Sequence, residues 1–257
     1  MTHIQSEILN NVKMRIHVHT RFSIADHLFK GFILTRNTDE KDYLLTLFSK
    51  ERLAVKFAAF ETFTLPSILS QTWNDWEWHI YISLGAPADF KARLNSLVSV
   101  DSRIHVQEVS SMKQVADIST QLDSQAPLLI GSMRLDDDDA LHPSIFQRLQ
   151  NFACEPKGTV VGLIGGVLSD LVDGVPRAST KPFGRHPYVI ALGMTRIGDN
   201  VFAVGNHYTA HVRHPCCYIF AEEGMIPFLC FANEHTDTAR KNEIEFMKPI
   251  DMKQFLS

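Results

Sequence analysis

The chain has 257 residues, of which 45% are hydrophobic and 21% charged, a composition typical of globular proteins that excludes the disordered and fibrous classes. The formal net charge is −4 and no stretch is dominated by Lys and Arg, so the sequence lacks the basic surface with which proteins bind nucleic acids. No run approaches the roughly 18 apolar residues of a membrane-spanning helix, and residues 1–12 lack the charged-then-apolar order of a signal peptide. We therefore expect a cytoplasmic protein without a transmembrane segment, for which only peripheral association with a membrane is left open.

The first 153 residues alternate between strand-like and helix-like patterns. Met14, Ile16 and Val18 alternate with polar residues, which predicts a strand over 13–20. The patterns that follow predict helices over 42–63 and 65–71, a strand over 77–84, a helix over 87–98, a strand over 103–109, a helix over 111–122, a buried strand over 126–135 and a helix over 141–153. Alternation of this kind predicts an α/β fold with a doubly wound, mainly parallel sheet.

Strand patterns predominate from residue 158 onward. Residues 160–172 are strand-like, and the turn signals Asp173-Gly174 and Gly198-Asp199-Asn200 lie between β-rich stretches, which predicts hairpins. A short helix is expected near the end of the chain. We therefore predict a β-rich C-terminal extension that completes the cleft begun by the first half, with residues 1–257 forming a single domain.

The cysteines give no sign of a disulfide framework. None of the four has CxxC spacing, which favours reduced thiols. One cluster, residues 211–217, contains two histidines and two cysteines, but its spacing matches no common closed zinc site. A buried strand with incidental thiols is the favoured interpretation, and structural zinc is the alternative. The residues concerned are Cys154, His211, His214, Cys216, Cys217 and Cys230.

Four consecutive aspartates, residues 136–139, directly follow the predicted buried strand. Ligands of doubly wound sheets bind beyond the carboxyl ends of the strands, which is where this aspartate run lies. At roughly 6 Å and an effective dielectric near 40, each neighbouring pair of carboxylates repels by about 1 kcal/mol, which a hard cation such as Mg²⁺ or Mn²⁺ would offset. A solvated acidic turn is the alternative, but the apolar strand before the run and the helix predicted after it favour a metal site.

Two other acidic motifs fit the run less well. An EF-hand loop beginning at Asp136 needs Gly and Glu where Leu141 and Gln147 stand. A phosphatase of the haloacid dehalogenase type wants Thr or Val in place of Ala140, and its nucleophile usually follows the first strand. Phosphatase chemistry is therefore kept only as a lesser alternative.

Three segments carry a resemblance to a known family. Residues 134–141 (RLDDDDAL) resemble the signature of the rhamnosyltransferase family, a GT-A-like group related to family-2 glycosyltransferases. Residues 19–23 (HTRFS) look like the opening loop of that family, and residues 65–72 (LPSILSQT) are similar to a segment shared among family-2 enzymes. The order and spacing of the three segments agree over about residues 13–153, and past residue 158 the resemblance is loose.

The resemblance implies a GT-A-like enzyme that moves a sugar from a nucleotide-diphosphate donor to a glycan or other acceptor, in bacterial surface polysaccharide synthesis. Residues 13–153 would be the nucleotide-sugar-binding half and residues 154–257 the acceptor side. The family's D-x-D element falls on Asp136 and Asp138, with Asp139 completing the motif and Asp137 a spacer. Asp138 would bind Mn²⁺ or Mg²⁺ directly, and Asp136 would contact the metal or the donor ribose. The residues expected to bind the donor are Thr20, Arg21, Ser23, Arg134 and Asp136, while Gln71 and Thr72 would shape a helix end.

The C-terminal half supplies further candidates. GT-A sites often add a histidine ligand, and His207 and His211 lie on a plausible strand, although a buried structural histidine explains either equally well. An inverting enzyme also needs a carboxylate base. The candidates are Glu222, Glu223 and Glu234, and Glu234 is preferred because it opens a polar segment after an apolar strand.

Some questions stay open at the level of sequence. Many family-2 enzymes have an acidic residue at the end of the second strand, but residues 82–85 (ISLG) contain none, so the nucleotide is left open. A non-catalytic module that binds metal or carbohydrate is the main alternative function. It would use the aspartates to hold Ca²⁺ for structure.

Overall fold

The computed structural model describes residues 14–28, 34, 39–125, 129–153, 160–163, 165–179, 192–194, 218–220, 225–231 and 247–257. Within these ranges, every helix is too short or too polar to cross a membrane.

The chain begins with a central strand and a series of short helices. Strand β1 (Met14–Phe22) is followed by α1 (Glu40–Leu47), α2 (Lys50–Ala59), a π-helical turn (Phe60–Thr64) and α3 (Leu65–Leu69). The single helix predicted over 42–63 is thus divided. The Ser49 side chain accepts a hydrogen bond from the backbone N–H of Arg52 (3.3 Å), so α2 starts at its own N-cap.

The predicted strand–helix alternation is confirmed over the next sixty residues. It consists of β2 (Trp76–Ser83), α4 (Ala88–Val98), β3 (Ile104–Val109), α5 (Met112–Gln125) and β4 (Leu129–Arg134). The four strands are parallel and lie in the order β4-β1-β2-β3. The chain therefore moves outward from β1 to β3 and then returns to the other side of β1. This reversal makes the carboxyl ends of β1 and β4 the topological switch point of a doubly wound sheet, where such folds bind ligands.

The C-terminal half extends this sheet and forms a second one. Strands β6 (Val160–Leu163), β9 (Leu192–Met194) and β10 (Tyr218–Phe220) continue the first sheet beyond β4. The second sheet has the order β12-β8-β7-β11-β5. Its strands are β5 (Ala140–Leu141), β7 (Val167–Val172), β8 (Val175–Ser179), β11 (Phe228–Phe231) and β12 (Met247–Pro249), and the short helix α6 (Met252–Phe255) follows the last of them. The predicted β-rich extension is thus observed.

The hairpin predicted at Asp173-Gly174 is confirmed. These residues connect β7 and β8, and Val172 pairs with Val175. Asp173 and Gly174 have φ angles of 53° and 75°, the left-handed values that two-residue hairpin turns require. The turn predicted at residues 198–200 lies outside the described residues.

The prediction of one helix over 141–153 was wrong at its start. Ala140 and Leu141 form a short strand that pairs antiparallel with Leu229 and Phe228 of β11. A helix occupies only Ile145–Leu149, and a 3-10 turn (Gln150–Phe152) follows it. Backbone pairing with a strand almost ninety residues later in the chain is a tertiary effect, which the local apolar spacing does not reveal.

The two faces of the parallel sheet are chemically different. Against α2 and α4 the sheet packs an aromatic core in which Phe22 contacts Phe57, Phe60 and Phe90. Because α5 connects β3 to β4 across the sheet, it covers the opposite face. The apolar contacts there are few and involve Ile24, Tyr81, Val109, Val115, Met112 and Ile118.

Polar side chains fill much of the face under α5. His17, His19 and His79 are each at most 3% exposed, and they lie side by side on β1 and β2. We call these three residues the histidine face. Burial, together with the neighbouring rings of His19 and His17, lowers the pKa of His79 to about 2, so this ring is neutral at physiological pH.

Candidate functional site

The aspartate run lies at the switch point of the parallel sheet. The backbone N–H of Leu135 donates to the carbonyl of His19 (3.1 Å), so the chain leaves β4 alongside the end of β1. After the run, β5 pairs with β11, and the N–H of His142 donates to the carbonyl of Pro227 (2.9 Å). Backbone hydrogen bonds therefore hold the run between the two sheets.

Two arginines meet at Asp136. Arg134 donates from Nε and Nη2 to Oδ1 of Asp136 (3.1 and 2.8 Å), and from Nη2 to Oδ2 (3.1 Å). Arg21, from the end of β1, donates to Oδ1 of Asp136 at 3.4 Å. Burial and the neighbouring Arg134 lower the pKa of Arg21 to about 10, so it stays charged at neutral pH. The predicted donor-binding residues Arg21 and Arg134 thus both contact Asp136, and they place positive charge at the ends of two adjacent strands.

Asp137 has a partner that was not predicted from the sequence. Lys56 of α2 donates to Oδ1 of Asp137 (2.5 Å), and its Nζ lies 3.5 Å from Oδ2 of Asp138. The side chains of Lys56 and Asp137 are 11% and 4% exposed, so this is a buried ion pair. Burial alone would lower the pKa of Lys56, but the carboxylates of Asp137 and Asp138 outweigh it and raise the pKa. Asp137, the expected spacer of the D-x-D element, therefore has a structural role as the partner of Lys56.

A sequence signal for Lys56 existed. Arg52 and Lys56 are four residues apart, and so lie on one face of α2, in a helix whose neighbouring Phe57 and Ala59 are buried. Arg52 donates to the hydroxyl of Ser23 (3.2 Å) and to the carbonyl of Leu47 (3.0 Å). Two cations at this spacing on a helix that packs against a sheet indicate that acidic or polar partners lie at the sheet edge.

Asp138 and Asp139 are buried carboxylates with few partners. Burial, with Asp137 and Asp136 adding to it and Lys56 opposing it, raises the pKa of Asp138 to about 7. Burial and the adjacent Asp138 also raise the pKa of Asp139 well above its usual value. Oδ1 of Asp139 accepts a hydrogen bond from the backbone N–H of Phe231 in β11 (3.0 Å). Asp139 therefore connects the run to the second sheet.

The carboxylates of the aspartate run are suitable ligands for a hard divalent cation. Four carboxylates here face only three cationic side chains, and Oδ2 of Asp137 is buried without a hydrogen-bond partner in the described part of the chain. Oxygen ligands of this kind suit Mg²⁺ or Mn²⁺. Among the described residues, however, no three carboxylates of the run bring their oxygens together as a ligand set. Asp136, Asp138 and Asp139 thus do not all converge on one point. The arrangement instead suits an ion held by one or two carboxylates, with phosphate and water oxygens as its other ligands.

The residues expected from the opening loop have different surroundings. The segment is not a loop, because β1 continues to Phe22. Thr20 is fully buried on the face opposite Arg21, and its Oγ1 accepts a hydrogen bond from Nε1 of Trp78 (2.9 Å), which gives it a packing role. Ser23 follows the strand with a φ of 58° and accepts a hydrogen bond from Arg52. From this segment, Arg21 contacts the aspartate run.

The amide of Gln71 shapes the chain that follows the run. Its Nε2 donates to the carbonyls of Ser67 and His142 (both 3.0 Å), and its Oε1 accepts from the N–H of Phe146 (3.1 Å). The N–H of Thr72 donates to the carbonyl of Pro143 (3.0 Å). These two residues therefore fix the turn between β5 and the next helix.

The candidates from the C-terminal half lie outside the described residues. These are the metal-ligand candidates His207 and His211, the base candidates Glu222, Glu223 and Glu234, and the cluster at residues 211–217. Their roles stay predictions. Cys230 of β11 is fully buried.

The chain matches the family model described as "Putative rhamnosyl transferase" over residues 17–209. Among curated proteins, none matches. The similar solved structures include TarS of S. aureus, residues 1–349, with 11% identity and a TM-score of 0.36, where the match covers 58% of this chain and 35% of that one. The same fragment in complex with UDP gives 10% identity, a TM-score of 0.37 and the same coverage of 58% and 35%. A further TarS structure gives 10% identity and a TM-score of 0.33, with coverage of 60% and 22%. The match thus spans little more than a third of the TarS chains at most.

Proposed function

This chain belongs to the rhamnosyl transferase family, and we propose that it is a glycosyltransferase that uses a nucleoside-diphosphate sugar as donor and Mn²⁺ or Mg²⁺ as cofactor. The proposal depends on one observation, the meeting of Arg21, Arg134 and the aspartate run at the carboxyl ends of β1 and β4. A diphosphate bears several negative charges, and arginines at a sheet edge are well suited to bind it.

The arginines would exchange partners when the donor binds. In the structure both bind Asp136, the most exposed carboxylate of the run, with a side chain 27% exposed. Phosphate oxygens at the switch point would compete for the same N–H groups, which leaves Asp136 available for the donor ribose or the metal. Arg134 offers a bidentate group and Arg21 a single contact, so Arg134 is the stronger phosphate-binding candidate.

Asp138 is the direct metal ligand in this proposal. Lys56 is its nearest partner and lies 3.5 Å away, so its oxygens are less engaged than those of Asp136 or Asp137. A bound divalent cation would neutralise charge on the leaving diphosphate. Lys56 holds the adjacent Asp137, and the N–H of Phe231 holds Asp139, so the backbone around Asp138 is fixed on both sides.

The acceptor side of the reaction is proposed in less detail. A glycan of a bacterial surface polysaccharide is the proposed acceptor, and Glu234, Glu223 and Glu222 are the proposed catalytic bases. His207 and His211 are the proposed additional metal ligands from the same half of the chain. The donor site stands independently of these assignments because all its residues belong to the described first half.

Thermal unfolding in the presence of nucleoside diphosphates tests the donor site. UDP, GDP, ADP and dTDP are each added with and without Mn²⁺, with Ca²⁺ alone as a separate condition. A nucleotide present at 100 times its Kd raises the free energy of unfolding by about 2.7 kcal/mol, which gives a measurable increase in Tm. We expect stabilisation by at least one nucleotide only when Mn²⁺ is present. Stabilisation by Ca²⁺ alone, with no effect of any nucleotide, would instead indicate a structural metal module.

A further inference from the structure

The histidine face under α5 contradicts the usual composition of a parallel sheet. Sheets covered by helices on both faces normally carry apolar side chains on both. Here His17 pairs in register with Glu77, and His19 pairs with His79. Alternation along β1 and β2 places these four side chains on the same face, and the three histidines are almost completely buried. Burying so many polar groups is unfavourable unless each has a partner.

Asp123 of α5 provides the partner of two of these rings. Its Oδ1 lies 2.8 Å from Nδ1 of His17 and 3.2 Å from Nε2 of His19, and the residue is 2% exposed. Nδ1 of His19, on the other side of its ring, contacts the hydroxyl of Tyr81 at 3.0 Å. A partner at the second ring nitrogen is the arrangement that orients metal-bound histidines in proteins.

Hydrogen bonds leave two buried atoms of this cluster unsatisfied. Oδ2 of Asp123 and Nε2 of His79 have no hydrogen-bond partner among the described residues. The nearest charged atom to Nε2 of His79 is Oε2 of Glu77, at 3.6 Å, which is too far for a hydrogen bond. A cation accepts lone pairs from carboxylate and imidazole alike, so unsatisfied atoms of these two kinds are the ones that a bound ion would use.

We propose that His17, His19 and Asp123 bind a zinc ion, at a site separate from the aspartate run. In the described part of the chain, the groups of three whose ligand atoms lie within 4.8 Å of one another are His17–His19–Asp123 and His17–Glu77–His79. The ring of His79 lies 5.4 Å, centroid to centroid, from the rings of both His17 and His19, but its ligand atom is not grouped with those of His19 and Asp123. A water molecule, or His79 after a small shift, would complete the tetrahedron.

The ligand chemistry selects zinc over the cation of the aspartate run. With metal–nitrogen distances of 2.0–2.1 Å, neighbouring ligand atoms of a tetrahedral zinc site lie about 3.3 Å apart. The contact between His19 and Asp123 already has this length, and that between His17 and Asp123 needs to widen by about half an ångström. Imidazole nitrogens suit Zn²⁺, whereas Mg²⁺ and Mn²⁺ prefer oxygen.

The ion would fix the C-terminal half of α5 to the centre of the sheet. The apolar contacts of this helix come from Met112, Val115 and Ile118, which all lie in its first half. The second half approaches the sheet through Asp123. A zinc ion at this point would hold the end of the helix against the sheet, as apolar packing holds its beginning.

Cobalt substitution tests the site in the 257-residue chain. The protein is dialysed against a chelator and titrated with Co²⁺, whose visible absorption is strong when four ligands bind it tetrahedrally. We expect the tetrahedral absorption to saturate at one equivalent of Co²⁺, Zn²⁺ to abolish it, and Zn²⁺ to raise the Tm of the chelated protein. Wild-type protein that binds no stoichiometric Co²⁺ or Zn²⁺ overturns the proposal without any variant.

Variants locate the ion. Asp123→Asn and His17→Gln are expected to lower the affinity for Co²⁺ by at least about 100-fold, since outer partners alone account for up to that factor. The matched control is His105→Gln. His105 stacks on His79 at 5.2 Å but is exposed and belongs to neither ligand group, so the control should bind as wild type does. Unchanged binding by Asp123→Asn or His17→Gln would place the ion on other histidines of the chain and reject the site.

The zinc site and the donor site can be tested independently, because each has its own variant and its own measurement. Asp138→Asn should keep the Co²⁺ spectrum, and Asp123→Asn should keep the Mn²⁺-dependent stabilisation by nucleotide. A Co²⁺ spectrum that disappears in Asp138→Asn and persists in Asp123→Asn would move the tetrahedral site to the aspartate run.

Discussion

Nζ of Lys56 and Oδ1 of Asp137 lie 2.5 Å apart in a buried ion pair that joins helix α2 to the aspartate run. The two residues are 81 positions apart in the chain, so the pair depends on the packing of α2 against the sheet edge. The lysine neutralises the charge of Asp137, and Asp138, the next residue of the run, is the proposed metal ligand. Lys56 therefore contributes to the stability of the fold and also lies beside the proposed metal ligand.

Replacing Lys56 with Met should strongly destabilise the protein. The substitution leaves the buried carboxylate of Asp137 without its cation, and removal of one partner of a buried pair typically costs about 3–5 kcal/mol. Chemical denaturation measures the loss. The control is Lys91→Met, which breaks a more exposed pair with Glu108 and should change the free energy of unfolding by less than about 1 kcal/mol. Equal losses of unfolding free energy in the two variants would show that the buried Lys56 pair stabilises the protein no more than the exposed pair does.

Asp138→Asn should abolish sugar transfer while the protein stays folded. The neutral amide cannot replace a charged metal ligand, and we expect a rate loss on the order of 100-fold or more. The measurement is single-turnover transfer from the nucleotide sugar that the thermal screen identifies. Asp75→Asn is the matched control, because Asp75 pairs with Arg15 just before β2, at the opposite edge of the sheet. Activity of Asp138→Asn within a few-fold of the control would remove Asp138 from the reaction.

Arg134→Lys should weaken the binding of nucleoside diphosphate by about 10-fold or more. Lysine keeps the charge but not the paired N–H groups of the guanidinium, and a hydrogen bond to a charged group contributes about 1.5–3 kcal/mol. Isothermal titration with Mn²⁺ present gives the Kd. The control is Arg93→Lys, at an exposed pair with Glu61 on the outside of α4. If Arg134→Lys binds nucleotide as tightly as Arg93→Lys does, Arg134 has no part in the donor site.

Gln71→Leu should destabilise the turn that follows the aspartate run. The substitution leaves the N–H of Phe146 without its partner, and a buried unsatisfied group costs about 1–3 kcal/mol. The carbonyl of His142 loses the Gln71 amide but keeps its hydrogen bond from the N–H of Ile145 (3.0 Å). Thr72→Val is the control, since it loses only the hydroxyl contact to the Pro143 carbonyl at 3.3 Å and keeps the backbone hydrogen bond. Hydrogen exchange of the Phe146 amide should accelerate in the first variant only. An unchanged exchange rate in Gln71→Leu would contradict this role.

Local patterns predicted most elements of the first half, and the reasons for the misses are specific. The helix predicted over 42–63 is divided because Ser49 caps α2, a short polar signal inside an otherwise helical pattern. The helix predicted from residue 141 starts later because Ala140 and Leu141 pair with β11. Periodicity reports which face of an element is apolar, but it does not report which distant strand competes for its backbone.

The residues of the candidate site also fall into those that the sequence predicted and those that it missed. The position of residues 136–139 after a buried strand was enough to select them, and the alternation of strands and helices was enough to predict that they lie beyond the carboxyl end of a strand, where doubly wound sheets bind ligands. The sequence assigned Arg21, Arg134 and Asp136 to donor binding, but it did not predict that both arginines contact Asp136. Lys56 and the cluster of His17, His19 and Asp123 were missed, because each joins residues that lie far apart in the chain.

The sequence by itself determined the α/β class, the hairpin at Asp173-Gly174 and the carboxylates of the aspartate run, because periodicity, turn preference and charge are local properties. The tertiary structure alone decided that Asp137 pairs with Lys56, that Thr20 packs under Trp78, and that Asp123 faces two histidines across the sheet. Partners of this kind are selected by the packing of helices on a particular face. That face is set by the order of the strands, which no single segment encodes.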